Sequence, residues 1–129
     1  MNIIEKIKGT NNTRVTLSTL WIVVMFNMIF ADILSFITPS FFEELSAMQV
    51  NQGMLLVFAI LLEIPIAMIF LSRILERKIN RWANIIASII TILFVVGGGS
   101  VYLHYIFFAS IEVTLMLFII LIAWKWQQD

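Results

Sequence analysis

Long apolar runs separated by short polar breaks make up most of this chain, and each run has the length of a membrane span. A spanning helix needs about 20 mostly apolar residues, and four stretches qualify: about 17–38, 53–72, 82–102 and 106–124. After the first, Thr38-Pro39-Ser40 stops the helix. Phe41, Phe42, Glu43 and Glu44 then predict a short interfacial segment before Asn51-Gln52-Gly53. Between the second and third runs, Arg73, Glu76, Arg77, Lys78 and Arg81 form a tight basic loop over residues 73–81, ending at Trp82. The last connection, around Tyr102 to Tyr105, reads as a minimal turn. The predicted fold is all-α: a polytopic membrane protein, one integral membrane domain over residues 1–129, built as a four-transmembrane-helix bundle.

Composition agrees with the pattern. The 129 residues are 61% hydrophobic, with a mean hydropathy of +1.01, above the apolar share of ordinary soluble domains. The formal net charge is zero, but the charges are segregated. Lys6, Lys8 and Arg14 precede the first span, the central loop carries its cluster, and Lys125 follows the fourth, so every Lys and Arg lies at one end of the bundle. Glu43 and Glu44 lie at the other. The positive-inside rule then predicts both termini in the cytoplasm. It also predicts that any homo-oligomer is parallel, because a strong bias forbids dual insertion. The first apolar run is too long for a signal-peptide core and reads as a retained helix. Asn11-Asn12-Thr13 matches a glycosylation pattern on the wrong side of the membrane for that modification.

Chemistry enters through three acids, Asp32, Glu63 and Glu112, that stand inside the apolar runs without a lysine or arginine beside them. A charged residue at the bilayer centre costs about 2.5–3.5 kcal/mol on insertion scales, and such residues face a bundle interior, pair, or carry protons and ions. At 1.5 Å per residue, Asp32, Glu63 and Glu112 lie roughly 22, 14 and 18 Å from the basic ends of their spans. They share one slab of depth. Ala59, Glu63 and Ala67 repeat at four-residue spacing, and the small flanking side chains predict that Glu63 faces protein. Pro65 leaves the Leu61 carbonyl without its helical donor, offering an acceptor beside that acid. Asn84, Ser88 and Thr91 form a polar stripe on the third helix, while Asn27 lies roughly 140° around its helix from Asp32. The candidate ligand- or ion-binding residues are therefore Asp32, Glu63, Glu112, Asn27, Asn84, Ser88 and Thr91.

Plainer accounts compete at each position. A neutral carboxyl can fasten helices by hydrogen bonding, at about 0.6–2 kcal/mol per contact, and the Asn84 stripe is well explained as helix packing. Gly97-Gly98-Gly99 lacks the lysine and helix start of a phosphate loop and reads as a helix end. His104, beside Tyr102 and Tyr105, reads as interfacial, and Trp82, Trp124 and Trp126 as interface anchors. With no cysteine and one histidine, thiolate chemistry and a classical zinc site have no basis. Neither a cofactor, a catalytic residue set nor a metal site is predicted, and nothing points to nucleic acid.

Several short segments carry a resemblance: Ala31-Asp32-Ile33, Glu63-Ile64-Pro65, Leu71-Ser72-Arg73, Asn80-Arg81-Trp82-Ala83-Asn84, Phe108 with Glu112, and Ala123-Trp124-Lys125-Trp126. In these, from about Trp21 to Trp126, the chain resembles a domain-of-unknown-function family of small four-span bacterial membrane proteins. The resemblance implies a bacterial inner-membrane location and four helices, and brings no activity. A looser similarity to DoxX-like proteins rests on size and span count alone.

Two functional classes follow. In the first, a proton- or cation-linked component binds or transports a small ligand, with the acids lining a pocket between helices and sharing protons. Four helices enclose little volume, so conduction calls for a parallel homo-oligomer or a larger membrane partner in the lipid bilayer. In the second, an accessory or assembly subunit uses its acids only as fasteners. An intramembrane enzyme acting on a lipid or quinone ranks third, because no nucleophile stands beside a base. The ligand's identity is not encoded in these patterns.

Overall fold

The computed structural model describes residues 12–98 and 102–127. Within them the chain forms five α-helices: α1 (Asn12–Ile37), α2 (Phe41–Ala47), α3 (Gln52–Ile74), α4 (Arg77–Gly97) and α5 (Leu103–Lys125). All except α2 are long and apolar enough to cross a membrane. The short α2 buries none of its residues, as expected of a segment lying at an interface.

Helix α1 packs against α3 and α5, and α4 packs against the same two. The four spans thus form a ring in chain order, with α1 diagonal to α4. Short connections make successive helices antiparallel. The ends agree: Arg14 Nε donates to Leu75 O at 3.2 Å and Arg81 Nε to Ala123 O at 2.9 Å, while Ser40 and Tyr102 hydroxyls meet at 2.9 Å at the opposite end.

Local chemistry sets the helix boundaries. Asn51 Oδ1 accepts from the Met54 amide at 2.9 Å and caps α3. The chain turns ahead of it through Gln49, whose φ of 50° is left-handed. Helix α4 closes at Gly98, whose amide donates to Phe94 O at 2.9 Å; a Cβ there would stand 3.2 Å from that same oxygen, so a larger residue would crowd the cap. The third span thereby ends at Gly97, short of the expected 102, and Gly99 lies outside the described residues.

The predicted basic loop is largely helical. Arg73 belongs to α3, and α4 starts at Arg77, leaving only Leu75 and Glu76 between them. The reason lies in α5, whose last carbonyls lack their i+4 donors, Ala123 O keeping only the Trp126 amide at 3.3 Å. Arg77 Nη1 reaches Trp126 O at 3.3 Å, and Arg81 reaches Ala123 O and Trp124 O at 2.9 Å each. A cation at a helix C-terminus is favourable on dipole grounds as well. The basic residues are therefore structural clasps in addition to topological signals.

Burial is uneven along the bundle. Leu17, Trp21, Met116, Ile119 and Ala123 are fully enclosed toward the basic end. On α3 only Pro65, Met68 and Ser72 are buried, all in its second half. Toward the acidic end Ile37, Leu55, Leu56, Leu103 and Phe107 are exposed. The ring is therefore looser at the acidic end along α3, whose first half buries nothing, while Ala31, Ser35 and Val95 of its neighbours stay buried there.

Candidate functional site

The inward face of α4 carries a polar file of Asn80, Asn84, Ser88 and Thr91, all buried. Its lower half is fully engaged. Asn84 Oδ1 accepts from Trp21 Nε1 at 2.7 Å and from Ser72 Oγ at 3.2 Å, while its Nδ2 donates to Asn80 O at 2.9 Å and Asn80 Oδ1 at 2.6 Å. Asn80 Nδ2 in turn donates to Ser72 O at 2.8 Å and Leu75 O at 3.2 Å. This network ties α1, α3 and α4 together just above the arginine clasps. Asn84 thus serves as a fastener whose amide is already committed.

The upper half of the file is different. Ser88 Oγ and Thr91 Oγ1 are buried without a hydrogen-bond partner among the described residues. In most membrane helices such hydroxyls bond back to the preceding turn, as Ser110 and Thr114 do on α5. The contacts of Arg81 with Ala123 and of Tyr105 with Val95 fix the register of α4 against α5. That register sets Glu112 between the levels of Ser88 and Thr91.

Glu112 is the buried acid, at 3% exposure. The Ser35 contact with His104 at 3.0 Å and the Arg14 guanidinium 5.1 Å from the Trp126 ring centre give the α1–α5 register. It places Glu112 beside Met28, with Asp32 one turn nearer the acidic end. Asp32 is exposed in the loosened part of the ring and lies within electrostatic reach of Glu112; both acids act on Tyr105. One enclosed carboxyl, one carboxyl at its mouth and a phenol form the arrangement.

Glu63 does not join them. It is exposed, and helical geometry turns it away from the other helices of its own chain. The inward face of α3 is set by Pro65, Met68 and Ser72, which lie roughly 140–200° around the helix from Glu63 at about 100° per residue. Ala59 and Ala67 turn outward with it. Asn27 is also apart, since its Nδ2 donates to Val23 O of its own helix at 2.8 Å.

Other expectations resolve similarly. Trp82 and Trp124 are exposed and meet edge to face at the basic rim, whereas Trp126 is 5% exposed and lies under Arg14, so it is packed rather than an anchor. His104 bonds Ser35 and stacks on Tyr102. Trp21 and Asn80 were not among the candidates. An indole N–H within an apolar run must find an acceptor, so Trp21 carried a usable signal. Asn80 extends the Asn84 stripe by one turn.

Chemically, the arrangement can hold and exchange a proton at an enclosed carboxyl and hydrogen-bond a small polar species at neighbouring hydroxyls. No group of His, Cys, Asp and Glu among the described residues is disposed to hold a metal ion.

No curated protein and no solved structure matches the chain. A family model described as a family of unknown function, DUF6326, matches residues 1–129. This ring of four membrane-span-like helices around a buried glutamate therefore belongs to the DUF6326 family.

Proposed function

We propose that this protein is a proton- or cation-linked component that binds or transports a small ligand, with Glu112 as the exchanging group and Asp32 as its partner at the entrance. The observation that carries the proposal is the enclosure of Glu112 between the levels of the unpartnered hydroxyls of Ser88 and Thr91. A buried carboxyl without a base beside it marks proton and ion sites more often than other membrane positions do. The loosened acidic end gives it one route to water, past Asp32. The Asn80–Asn84–Ser72–Trp21 network closes the other. With the basic end cytoplasmic, as the charge bias predicts, the site opens away from the cytoplasm of a bacterial inner membrane.

The test is a pH titration of carboxyl infrared bands in lipid nanodiscs, on the parent and on Glu112→Gln and Asp32→Asn. The expected result is a Glu112 band that responds between about pH 5 and 8 and moves when Asp32 is neutralised. A band that is constant over that range and indifferent to Asp32 would overturn the proposal. A second reading, a non-catalytic accessory or assembly subunit, is favoured by one specific observation: Glu63 stands outward in mid-span, where a neighbouring chain is a better environment than lipid. Under that reading Glu112→Gln folds, assembles and functions as the parent does.

A further inference from the structure

Pro65 stands inside α3 (Gln52–Ile74). It lacks an amide proton, so the Leu61 carbonyl one turn earlier has no α-helical donor, and the proline ring stands over that same carbonyl. Pro65 is fully buried, so this side of α3 faces the interior of the ring. The freed oxygen therefore belongs to the interior and not to the outward face that carries Glu63. Two contacts give its depth. The Phe58 and Phe94 rings lie 6.3 Å apart between α3 and α4, and Asn80 Nδ2 donates to Ser72 O at 2.8 Å. Both pairings set Leu61 level with Thr91, and Glu112 lies between the levels of Ser88 and Thr91. Three helices thus present oxygen donors at one depth on their inward sides: the Glu112 carboxyl, the Ser88 and Thr91 hydroxyls and the Leu61 carbonyl. Ser88 is 0% exposed and Thr91 1%, and neither hydroxyl has a hydrogen-bond partner among the described residues.

We infer that the ion linked to this site is an alkali-metal cation, held by the Glu112 carboxylate, the Ser88 and Thr91 hydroxyls and the freed Leu61 carbonyl. The inference rests on the proposed function, whose cation-linked form it specifies. The donor set selects the ion. A proton on Glu112 makes a single donor and engages one of the neutral oxygens, whereas a cation draws on the lone pairs of all of them. One carboxylate balances one positive charge in an interior of low dielectric. Calcium takes about six to eight oxygens with several carboxylates among them, magnesium retains several waters, and transition metals favour imidazole or thiolate. No group of three His, Cys, Asp or Glu residues suited to such ions stands among the described residues. Neutral oxygens around one acid near the midplane, with a backbone carbonyl released from its helix, are the donors that monovalent cations take inside membranes. As the cation enters, the Glu112 proton leaves for water past Asp32, so the charge of the site is unchanged.

The test holds the parent protein in lipid nanodiscs at fixed pH while sodium or potassium chloride replaces choline chloride at constant ionic strength. It reads the protonated-carboxyl infrared band that Glu112→Gln removes. Proton and cation compete for one carboxylate, so the band is expected to fall by about two-fold or more over a hundred-fold range of sodium or potassium. Thr91→Val deletes a buried unpartnered hydroxyl, and a purely structural role predicts an equal or higher melting temperature with the cation response intact. The ligand role predicts the same melting behaviour with a response about ten-fold weaker. Pro65→Ala returns an amide donor to Leu61 O and suits a helix better than proline, and it should weaken the response likewise. Thr114→Val, on the exposed side of α5 where the hydroxyl bonds Ser110 O at 2.8 Å, leaves the response as in the parent. A band that follows pH but neither cation would overturn the inference and leave the proposed function standing in its proton-linked form. A band that follows neither pH nor cation would overturn both. A cation response indifferent to Thr91→Val and Pro65→Ala would overturn the inference alone.

Discussion

Trp21 Nε1 donates to Asn84 Oδ1 at 2.7 Å, and because α1 and α4 occupy opposite corners of the ring, this bond crosses the centre of the bundle. Both side chains are fully buried. Trp21→Phe keeps most of the packing and removes the donor, and it should cost about 1–2 kcal/mol, the upper part of the range for membrane hydrogen bonds. Asn84→Leu leaves the Trp21 donor, the Ser72 hydroxyl and Asn80 Oδ1 unsatisfied together and should cost more. Unfolding equilibria in bicelles measure both, and the double variant reports their coupling.

The arginine clasps are tested by conservative replacement. Arg81→Lys keeps the charge but cannot reach Ala123 O and Trp124 O together in the present fork geometry. It should therefore recover less than half of the stability lost in Arg81→Gln, itself about 1–3 kcal/mol. Thermal unfolding in nanodiscs gives the comparison.

At the acidic end, Tyr102 Oη donates to Glu44 Oε1 at 3.0 Å and meets Ser40 Oγ at 2.9 Å. These contacts hold α2, which buries nothing of its own. Tyr102→Phe should raise amide exchange over residues 41–47 by on the order of thirty-fold, at about 1 kcal/mol for each of the two lost bonds, and leave α4 unchanged. Hydrogen–deuterium exchange with peptide resolution separates the two regions.

Orientation follows from labelling. In a chain without cysteine, Ser46→Cys should react with a membrane-impermeant maleimide added to intact cells, and Lys78→Cys should react only after permeabilisation. The reverse pattern would overturn the proposed topology and with it the proposed side from which Glu112 meets water.

Four helices were legible in the chain because lipid imposes a length and an apolarity that short polar breaks cannot disguise. The exact ends were not. The basic segment around Arg77 and Arg81 looks like a loop when charge marks the boundary, yet it is helical because the carbonyls of α5 receive those guanidiniums. The site was legible in part. Depth along each span put Asp32, Glu63 and Glu112 in one slab, since depth depends only on rise per residue, and of these Asp32 and Glu112 lie within electrostatic reach of each other. Facing failed for Glu63: small neighbours at four-residue spacing mark a face fit for close contact, and they do not say whether that contact lies within the chain. The inward side of α3 was instead decided by Pro65, Met68 and Ser72, which pair with neighbours distant in sequence.

Under the proposed function, a ring closed at the basic end and reached past Asp32 acts as a cup, and a cup equilibrates its contents with one compartment alone. Moving anything onward requires its floor to part. Four of the bonds in that floor run between elements: Trp21 to Asn84, Ser72 to Asn84, and Asn80 to Ser72 and Leu75. At about 0.6 kcal/mol each, breaking all four costs about 2.4 kcal/mol before the packing of Leu17, Trp21 and Met116 is counted, so fewer than about one molecule in sixty would stand open at any instant. The asparagines of α4 would then set the leak rate of the resting protein, and the pace of any turnover that it supports.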